Sequence, residues 1–586
     1  MENSTIFASI PPFVLVLVLL KWRLAKRRTE YGAACWLPAW SAQGAGLFRG
    51  EGLLIGDWTG RLPVYYNGGG HALTVAPTGM GKGTCAIIPN LLRHPWLFVV
   101  DPGGENTAVA IAAWRRKNYE VVCLNPWRKH DAAPWSLPSD QLNPVAILDP
   151  KSPSFVSDAD LLAEMIVTRS GRESGNSSFF KDEAQSGLRA MLLHIATAEP
   201  PARRNLLTLR QYITADATAW EQLVAAMRAN QAAGGLIARE AAQFERREAQ
   251  AGEEFSAILS TMKQDTNFIE DPVMQEALGG ERADLSALKG CSKDGRKIAG
   301  CAVAIVIPLE YIETHAAYAR LVTAVALWTM QRGALARGRV LFLLDEFPAL
   351  GPMKRIASGL ATLRKYRVWL WPIVQNLGQL KNLYGANWQT FISNAGLLQF
   401  IGAGDIETAG YISTYCGEAT IEVVTKNRGG ASRSLARRQL AMTDEIMCLK
   451  DDLQIVSIGN MRPLLLKKTP YWERPGIGGY NRNPYVERGA EISLLAPLAA
   501  AWGKAVHLAA WTMRPASSLV VVAVMLAFFA LRPGILIGDE WRHEDRMSVC
   551  FYATTSGMYA TYTSRLRRPA SCAPIYLSLF HPVIEQ

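Results

Sequence analysis

The chain has 586 residues, of which 62 are Lys or Arg and 51 are Asp or Glu, so its formal net charge is +11. This length exceeds what one hydrophobic core usually supports, and the charge suits contact with the phosphates of nucleic acid or anionic lipid. The nine cysteines include no C-x-x-C pair, which argues against a zinc site or a thioredoxin-like redox motif.

The first predicted element is an apolar stretch at residues 6–20, followed at once by basic residues from Lys21 to Arg28. A cleaved signal peptide carries its positive charge ahead of the apolar stretch, so we predict a membrane anchor instead. The stretch is shorter than the roughly 17 residues that a spanning helix needs, so flanking residues must snorkel or the membrane must thin. The positive-inside rule places the chain after Lys21 in the cytoplasm.

From residue 50 to 475, short β-rich runs alternate with helical segments, which predicts a mostly parallel α/β sheet covered on both faces. Several runs are almost continuously apolar, as expected of strands in the middle of a sheet. The predicted strands are residues 71–76, 96–101, 120–124, 301–307, 339–345, 368–374 and 397–401.

The loop after the first of these strands has the composition of a phosphate-binding loop. The sequence HALTVAPTGMGKG ends a strand at Ala76 and opens a helix at Gly81. Small residues let backbone N–H groups face an anion, the helix N-terminus adds its dipole, and Lys82 reaches the terminal phosphates. The residues predicted to bind the phosphates are Thr78, Gly79, Met80, Gly81, Lys82, Gly83 and Thr84.

Two positions depart from the usual pattern of such a loop. Ala76 replaces the first glycine, and Gly83 occupies the place of the Ser or Thr that normally holds magnesium. Thr84 is the nearest hydroxyl that can substitute, so it is predicted to hold the ion.

Between residues 155 and 280 the strand signal disappears, and Ala, Glu, Gln, Arg and Leu dominate. The spacing of the apolar residues is helical rather than alternating. This pattern predicts an all-helical insertion between two strands of the sheet.

Two adjacent acids follow an apolar run in RVLFLLDEFPALG, residues 339–351. Asp345 is predicted to hold magnesium, directly or through water, and Glu346 to orient and deprotonate an attacking water. A helix cap or a turn is the ordinary explanation for two acids at a strand end. Their pairing with a phosphate loop, in this order along the chain, favours nucleotide hydrolysis.

The next predicted strand brings a candidate sensor and candidate arginine fingers. Gln375 follows that strand, where it can reach a bound nucleotide. Arg364, Lys365 and Arg367 precede it, and any of the three can serve as a finger that reaches a neighbouring subunit. A solvated basic turn is the alternative for these three residues.

The C-terminal part contains a predicted mobile basic loop at 429–438 and a second apolar stretch at 517–531, which can extend to Ile537. If this stretch spans the membrane, the tail lies outside the cytoplasm, where Cys550 and Cys572 can form a disulfide. The alternative is a buried core helix with two free thiols. We expect the two-anchor topology.

The motifs together resemble those of the type IV coupling proteins, the hexameric ATPases of conjugation and type IV secretion. The resemblance covers residues 56–475 and rests on HALTVAPTGMGKG, IIPNLL, VVDPGGEN, LNPVAILDP, LLDEFPALG, WPIVQNLGQLKNLYG and GYISTYCGEAT in this order. It implies a RecA-like P-loop NTPase sheet with an all-helical insertion domain. It also implies a homohexamer in the bacterial inner membrane, with the motor domain in the cytoplasm.

The resemblance implies a role for each matched residue, with ATP and Mg²⁺ as cofactors. Lys82 matches the phosphate lysine, Asp345 and Glu346 the magnesium and water pair, and Gln375 the nucleotide sensor. Among the three candidate fingers it favours Arg364.

Two residues and the topology depart from the family pattern. Gly79 and Gly103 stand where the family often has basic residues, so the phosphate contacts are expected to differ. The family commonly has two N-terminal spanning helices, whereas here one anchor precedes the motor and one is predicted to follow it.

The implied partners are single-stranded DNA with its relaxase, effector proteins and the components of the secretion channel. The helical insertion is implied to receive the substrates. Two rivals remain: a docking receptor in which nucleotide only stabilises a ring, and a chromosome-segregation translocase, which the motifs after Asp345 fit less well.

These signals predict six parts of the chain. An anchor with its basic flank is followed by a nucleotide-binding domain in two parts, which are separated by the insertion. An amphipathic segment with the second apolar stretch and a periplasmic tail complete the chain. The predicted boundaries are 1–28, 29–154, 155–280, 281–490, 491–537 and 538–586.

Overall fold

A computed structural model describes residues 29–58, 62–169, 175–280, 283–291, 295–360, 362–427 and 430–485, and the backbone of four strands between 533 and 577. The chain divides into two compact units, Met1–Ile492 and Ser493–Gln586. Both predicted anchors, at 6–20 and 517–531, lie outside the described residues. Among the helices of the described residues, none combines the length and the hydrophobicity that crossing a membrane requires.

The first unit is built on one large mixed sheet. The strands described in this unit are β1 (Leu53–Trp58), β2 (Leu62–Tyr66), β3 (His71–Val75), β4 (Trp96–Pro102), β5 (Glu120–Leu124), β6 (Cys301–Ile307), β7 (Val340–Leu344), β8 (Val368–Val374), β9 (Ala395–Phe400), β10 (Glu418–Asn427), β11 (Gly430–Gln439), β12 (Leu453–Ile458) and β13 (Leu464–Lys467). Eleven of them pair in the order β2-β1-β13-β12-β9-β3-β8-β7-β4-β6-β5. The seven from β9 to β5 are parallel, and the other four extend the sheet with antiparallel pairs.

All seven predicted strands are confirmed, and they are the seven parallel strands. These strands are apolar along their length because both faces of the sheet are covered. In β6, for example, every position is buried. In β4, Phe98 and Val100 belong to one hydrophobic core, whereas Leu97 and Val99 belong to the other. The sheet therefore separates two apolar layers, as an α/β fold requires.

Helices pack against the sheet and also form the insertion. They are α1 (Ala39–Gly44), α2 (Ile88–Leu91), α3 (Glu105–Arg116), α4 (Phe155–Ile166), α5 (Gly175–Ala198), α6 (Leu206–Ile213), α7 (Ala217–Ala229), α8 (Leu236–Gln250), α9 (Gly252–Asp265), α10 (Pro272–Gly279), α11 (Ala316–Gln331), α12 (Lys354–Gly359), α13 (Leu377–Tyr384), α14 (Gln389–Asn394), α15 (Ile406–Cys416) and α16 (Thr443–Met447). The segment from α4 to α10 contains only helices and turns among its described residues. Its aromatic side chains Trp220, Phe244 and Phe255 are buried and pack together, with ring centroids 5.8–5.9 Å apart.

The prediction of a mobile basic loop at 429–438 is wrong. Residues of this segment form β11, which pairs with β10 in an antiparallel hairpin from Glu418↔Gln439 to Asn427↔Gly430. Cross-strand ion pairs join Arg437 to Glu418 and Arg433 to Glu422. The hairpin is exposed, so its composition is polar and resembles that of a loop. Its structure comes from the backbone ladder and the cross-strand pairs.

The second unit contains an antiparallel sheet with the strand order β16-β15-β14-β17. Its strands are β14 (Pro533–Arg542), β15 (Met547–Thr554), β16 (Gly557–Thr563) and β17 (Ile575–Leu577). Extension of the second apolar helix to Ile537 is therefore wrong, since Pro533 cannot continue a helix ladder and Ile535 pairs with Ala553. Cys572 lies outside the described residues, so its bridge to Cys550 stays a prediction.

A buried ion pair fixes the end of the first unit to the sheet. The Arg474 guanidinium donates to Asp57 of β1 at 2.8 Å, and the two side chains are only 5% and 4% exposed. Arg474→Ala leaves the Asp57 carboxylate buried without a cation, so we expect the free energy of unfolding of this unit to fall by about 3 kcal/mol. Denaturant unfolding followed by tryptophan fluorescence measures this loss.

The matched control is Lys467→Ala, which removes a pair with Asp452 whose side chains are 56% and 49% exposed. Solvent screens such a pair, so the control should unfold almost as the wild type does. Equal losses in the two variants would contradict the importance of the buried pair.

Candidate active site

The predicted phosphate loop connects β3 to a π-helical turn, Lys82–Ile87, that continues as α2. Gly79 and Gly81 both have φ near +80°, a conformation that glycine adopts without strain. Gly81 precedes the first turn, and no side chain caps that turn. Because Gly81 has no side chain, it leaves the first backbone N–H groups of the turn uncapped, as an anion-binding helix end requires.

Lys82 connects the loop to both predicted acids. Its Nζ donates to Asp345 Oδ1 at 2.9 Å and also to Glu346 Oε1. Burial lowers the pKa of Lys82, but the two carboxylates outweigh burial and hold it above its usual value, so the amine stays charged. A nucleotide phosphate would compete with these carboxylates for the same amine.

Glu346 and Gln375 complete the cluster. Glu346 lies in the left-handed region with φ +48°, and its N–H donates to Asp345 Oδ1 at 3.0 Å. Gln375 follows β8, and its Nε2 donates to Glu346 Oε2 at 3.1 Å. Because β3, β8 and β7 are adjacent and parallel, the residues after their carboxyl ends meet at one edge of the sheet. The structure thus brings together four of the predicted catalytic or metal-binding residues.

Thr84, the predicted magnesium hydroxyl, donates to the Gly81 carbonyl oxygen at 3.3 Å. Its hydroxyl therefore faces back toward the loop backbone. Thr84 as a magnesium ligand stays a prediction.

Lys468 is a site residue that sequence reasoning missed. Its Nζ donates to the Met80 carbonyl oxygen in the phosphate loop at 3.0 Å, and the residue is only 7% exposed. Burial lowers its pKa. Lys468 follows β13, a strand that was not predicted, so the sequence offered no signal for it.

Asp101 and Asn106 lie beside the cluster and were also missed. Asp101 lies in β4, directly after Val100. The Val100 carbonyl oxygen accepts the N–H of Asp345 at 3.2 Å, which places Asp101 next to the cluster. The Asp101 carboxylate accepts from Asn106 Nδ2 at 2.9 Å and from the Thr107 N–H at 2.7 Å. Burial raises the pKa of Asp101 to about 7 although both bonds favour the carboxylate. These residues belong to VVDPGGEN, so the sequence did contain a signal.

Arg364 does not join this cluster. A Cβ built on Gly69 would lie 2.6 Å from its guanidinium, and Gly69 precedes the amino end of β3. Burial, with a smaller contribution from Arg364, lowers the pKa of nearby His71 to about 4. The five residues of β3 span roughly 16 Å, so Arg364 is far from the phosphate loop of the same chain.

The other candidate fingers lie near Arg364. With Arg339 they line a cavity of about 430 Å³ whose walls include Gly69 and Trp369. The Arg367 guanidinium already donates to backbone groups, the carbonyl oxygens of Ala336 and Arg337, at 2.8 and 2.7 Å. Arg364 and Lys365 are exposed.

The donor set fits a magnesium nucleotide. Magnesium usually takes one or two protein carboxylates and completes its shell with water and phosphate oxygens. Asp345 is a mostly buried carboxylate beside the phosphate lysine. Among the described residues, no three His, Cys, Asp or Glu side chains converge as a closed metal site. An ion held mainly by Asp345 and the nucleotide is consistent with both findings.

Comparison with known proteins shows the family of this chain. Residues 38–494 match the family described as type IV secretory system conjugative DNA transfer. The conjugal transfer protein TraG of Rhizobium radiobacter is 27% identical over 446 residues, which cover 72% of this chain and 66% of TraG. The type IV secretion system-coupling protein VirD4 of Bartonella quintana is 25% identical over 439 residues, which cover 71% of this chain and 65% of VirD4.

The fold has relatives among solved structures. The plasmid coupling protein TrwB in complex with ADP and Mg²⁺ has a TM-score of 0.54 at 16% identity, over 75% of this chain and 94% of TrwB. This likeness shows a shared α/β fold with a large mixed sheet. The family match covers most of the chain, and the matches span just under two thirds of the TraG and VirD4 sequences. The chain belongs to the type IV secretory system conjugative DNA transfer family, the type IV coupling proteins.

Proposed function

We propose that this protein is an inner-membrane ATPase that recruits single-stranded DNA with its relaxase and drives it into a type IV secretion channel. The observation that carries the proposal is the convergence of Lys82, Asp345, Glu346 and Gln375 at one edge of the sheet. A phosphate lysine, a metal carboxylate, a base and a sensor are the groups that phosphoryl transfer to water requires.

Each residue of the cluster has a distinct role in this proposal. Lys82 leaves the carboxylates to bind the terminal phosphates, and Asp345 holds the magnesium ion directly or through water. The ion, when bound, neutralises charge on the phosphates. Glu346 orients and deprotonates the attacking water, and Gln375 reports the loss of the terminal phosphate through its bond to Glu346.

Arg364 acts on the neighbouring subunit of a homohexamer. Its exposure and its distance from its own phosphate loop both suit a finger that works across an interface. The basic cavity around it would receive the phosphates bound by the next subunit.

A buried arginine connects the hydrolysis site to the helical insertion. The Arg320 guanidinium donates to the carbonyl oxygens of Leu350 and Met165 at 2.9 and 3.3 Å and to Thr168 Oγ1 at 3.0 Å. Leu350 lies four residues after Glu346, and Met165 belongs to α4 of the insertion. Movement of the loop after Glu346 would therefore reach the domain that we propose receives substrates.

The proposed cargo and location follow from charge and relatives. The net charge of +11 suits nonspecific contact with DNA phosphates. TraG relatives are called conjugal transfer proteins, and VirD4 relatives secretion coupling proteins, so effector proteins are the alternative cargo. The apolar stretches at 6–20 and 517–531 would anchor the motor in the membrane, with channel components as neighbours.

Turnover of ATP with and without single-stranded DNA tests the proposal. The purified full chain in lipid nanodiscs should hydrolyse ATP faster when DNA is added. Lys82→Ala removes the phosphate lysine, so this variant should show no turnover above background with or without DNA. Phosphate release measured under saturating ATP gives the comparison.

A docking receptor gives a different result in the same assay. Its wild-type form would bind ATP yet never exceed the turnover of Lys82→Ala. Turnover that effector proteins stimulate and DNA does not would replace the DNA cargo with protein.

A further inference from the structure

A buried amide oxygen lies next to the glycine where magnesium-binding loops usually carry a hydroxyl. Asn106, in the first turn of α3, is 4% exposed. Its Nδ2 donates to Asp101, but its Oδ1 is buried and accepts no hydrogen bond in the part of the chain that the structure describes. A buried acceptor without a partner is costly and calls for a ligand or a water.

The free oxygen faces Gly83. A Cβ built on Gly83 would lie 3.4 Å from Asn106 Oδ1, and outside the glycine's own helix no other atom of the described residues would lie within 4 Å. The side chain that Gly83 lacks is the Ser or Thr that holds magnesium in other phosphate loops. Asn106 therefore presents an oxygen to the region where the missing hydroxyl would stand.

The orientation of the amide is fixed by its surroundings. Asp101 uses one carboxylate oxygen for the Thr107 N–H and the other for Asn106 Nδ2. In the ionised form of Asp101, which accepts both bonds, turning the amide over would place Oδ1 against a carboxylate oxygen and lose a hydrogen bond. In this arrangement the acceptor points away from Asp101 and toward Gly83 of the phosphate loop.

We propose that Asn106 Oδ1 replaces the missing hydroxyl and binds the coordination shell of the nucleotide's magnesium ion, directly or through one water. Amide oxygens are hard ligands that suit magnesium, and the ion often keeps several waters. This inference rests on the proposed function. It competes with Thr84, whose hydroxyl donates to the Gly81 carbonyl oxygen.

Nucleotide binding as a function of magnesium concentration tests the assignment without any hydrolysis. Binding of a fluorescent ADP analogue is measured while Mg²⁺ is raised from zero in EDTA. Asn106→Ala should raise the Mg²⁺ concentration needed for half-maximal binding about tenfold and leave the affinity in EDTA unchanged. The matched control is Asn143→Ala, another buried asparagine, whose amide bonds Arg204 and Val145 elsewhere.

A second variant separates ligation from damage to the fold. Gly83→Ser restores the hydroxyl of an ordinary phosphate loop, so adding it to Asn106→Ala should return the Mg²⁺ requirement toward that of the wild type. The inference is overturned if Asn106→Ala needs the same Mg²⁺ concentration for half-maximal binding as the wild type. It is also overturned if only Thr84→Val raises that concentration tenfold. A wild type that binds the analogue equally well in EDTA and in Mg²⁺ would overturn the inference, whereas the proposed function fails separately, if wild-type ATP turnover does not exceed that of Lys82→Ala.

Discussion

The Glu346→Gln variant is expected to bind ATP at least as tightly as the wild type and to hydrolyse it roughly 10³-fold more slowly. The amide keeps the shape of the side chain and can still accept from Gln375, but it cannot take a proton from water. The substitution also removes one of the two carboxylates that hold Lys82, which leaves the amine more available to phosphate. Single-turnover hydrolysis and binding of a fluorescent ATP analogue measure the two effects separately.

The control for this variant is Glu253→Gln, which removes an exposed acid on α9. It should hydrolyse ATP at the wild-type rate. A Glu346→Gln variant that retained more than about a tenth of the wild-type rate would remove Glu346 from the role of base, because general-base catalysis contributes at least a hundredfold.

The Arg364→Ala variant should lose roughly 10³-fold in turnover, and the loss should be repaired by a partner that is itself inactive. A subunit with Arg364→Ala has an intact phosphate loop, whereas a subunit with Lys82→Ala has an intact Arg364. When both are co-expressed, about a quarter of the interfaces in a randomly mixed ring combine the two intact residues. Turnover of the purified mixture measures this repair.

Two outcomes would contradict a finger at Arg364. Mixed rings, verified by capture through a tag on one variant, remain inactive if Arg364 does not act across the interface. Lys365→Ala is the second comparison, because it neutralises the exposed neighbour of Arg364. A larger loss from Lys365→Ala than from Arg364→Ala would move the finger to Lys365.

The parallel part of the sheet could be predicted because its strands are buried on both faces. The antiparallel extension could not, since burial there depends on distant partners. Asp57 in β1 is buried only because Arg474, far along the chain, pairs with it. Strand β13 alternates buried and exposed positions and is only four residues long, which gives little pattern to detect.

The site residues that could be predicted are likewise those carried by the parallel strands. Lys82, Asp345, Glu346 and Gln375 each follow or precede a predicted element, so their meeting follows from the parallel order of the strands. Lys468 reaches the loop from the position directly after antiparallel strand β13, so local sequence carries no trace of its contact.

Asn106 belongs to the VVDPGGEN motif, but its proposed role depends on its position relative to Gly83 in the folded chain. Its free oxygen lies 3.4 Å from the Cβ that Gly83 does not have. Motif spacing shows that both residues are present, and only the folded chain shows that they face each other.

The most direct test of the motor is displacement of streptavidin from the end of a biotinylated single-stranded DNA by the full chain in nanodiscs. We expect displacement with ATP, and none with a non-hydrolysable analogue or with Glu346→Gln. If the wild type hydrolyses ATP in the presence of the DNA but leaves the streptavidin in place, hydrolysis does not move this strand, and the account of the protein as a DNA pump is contradicted.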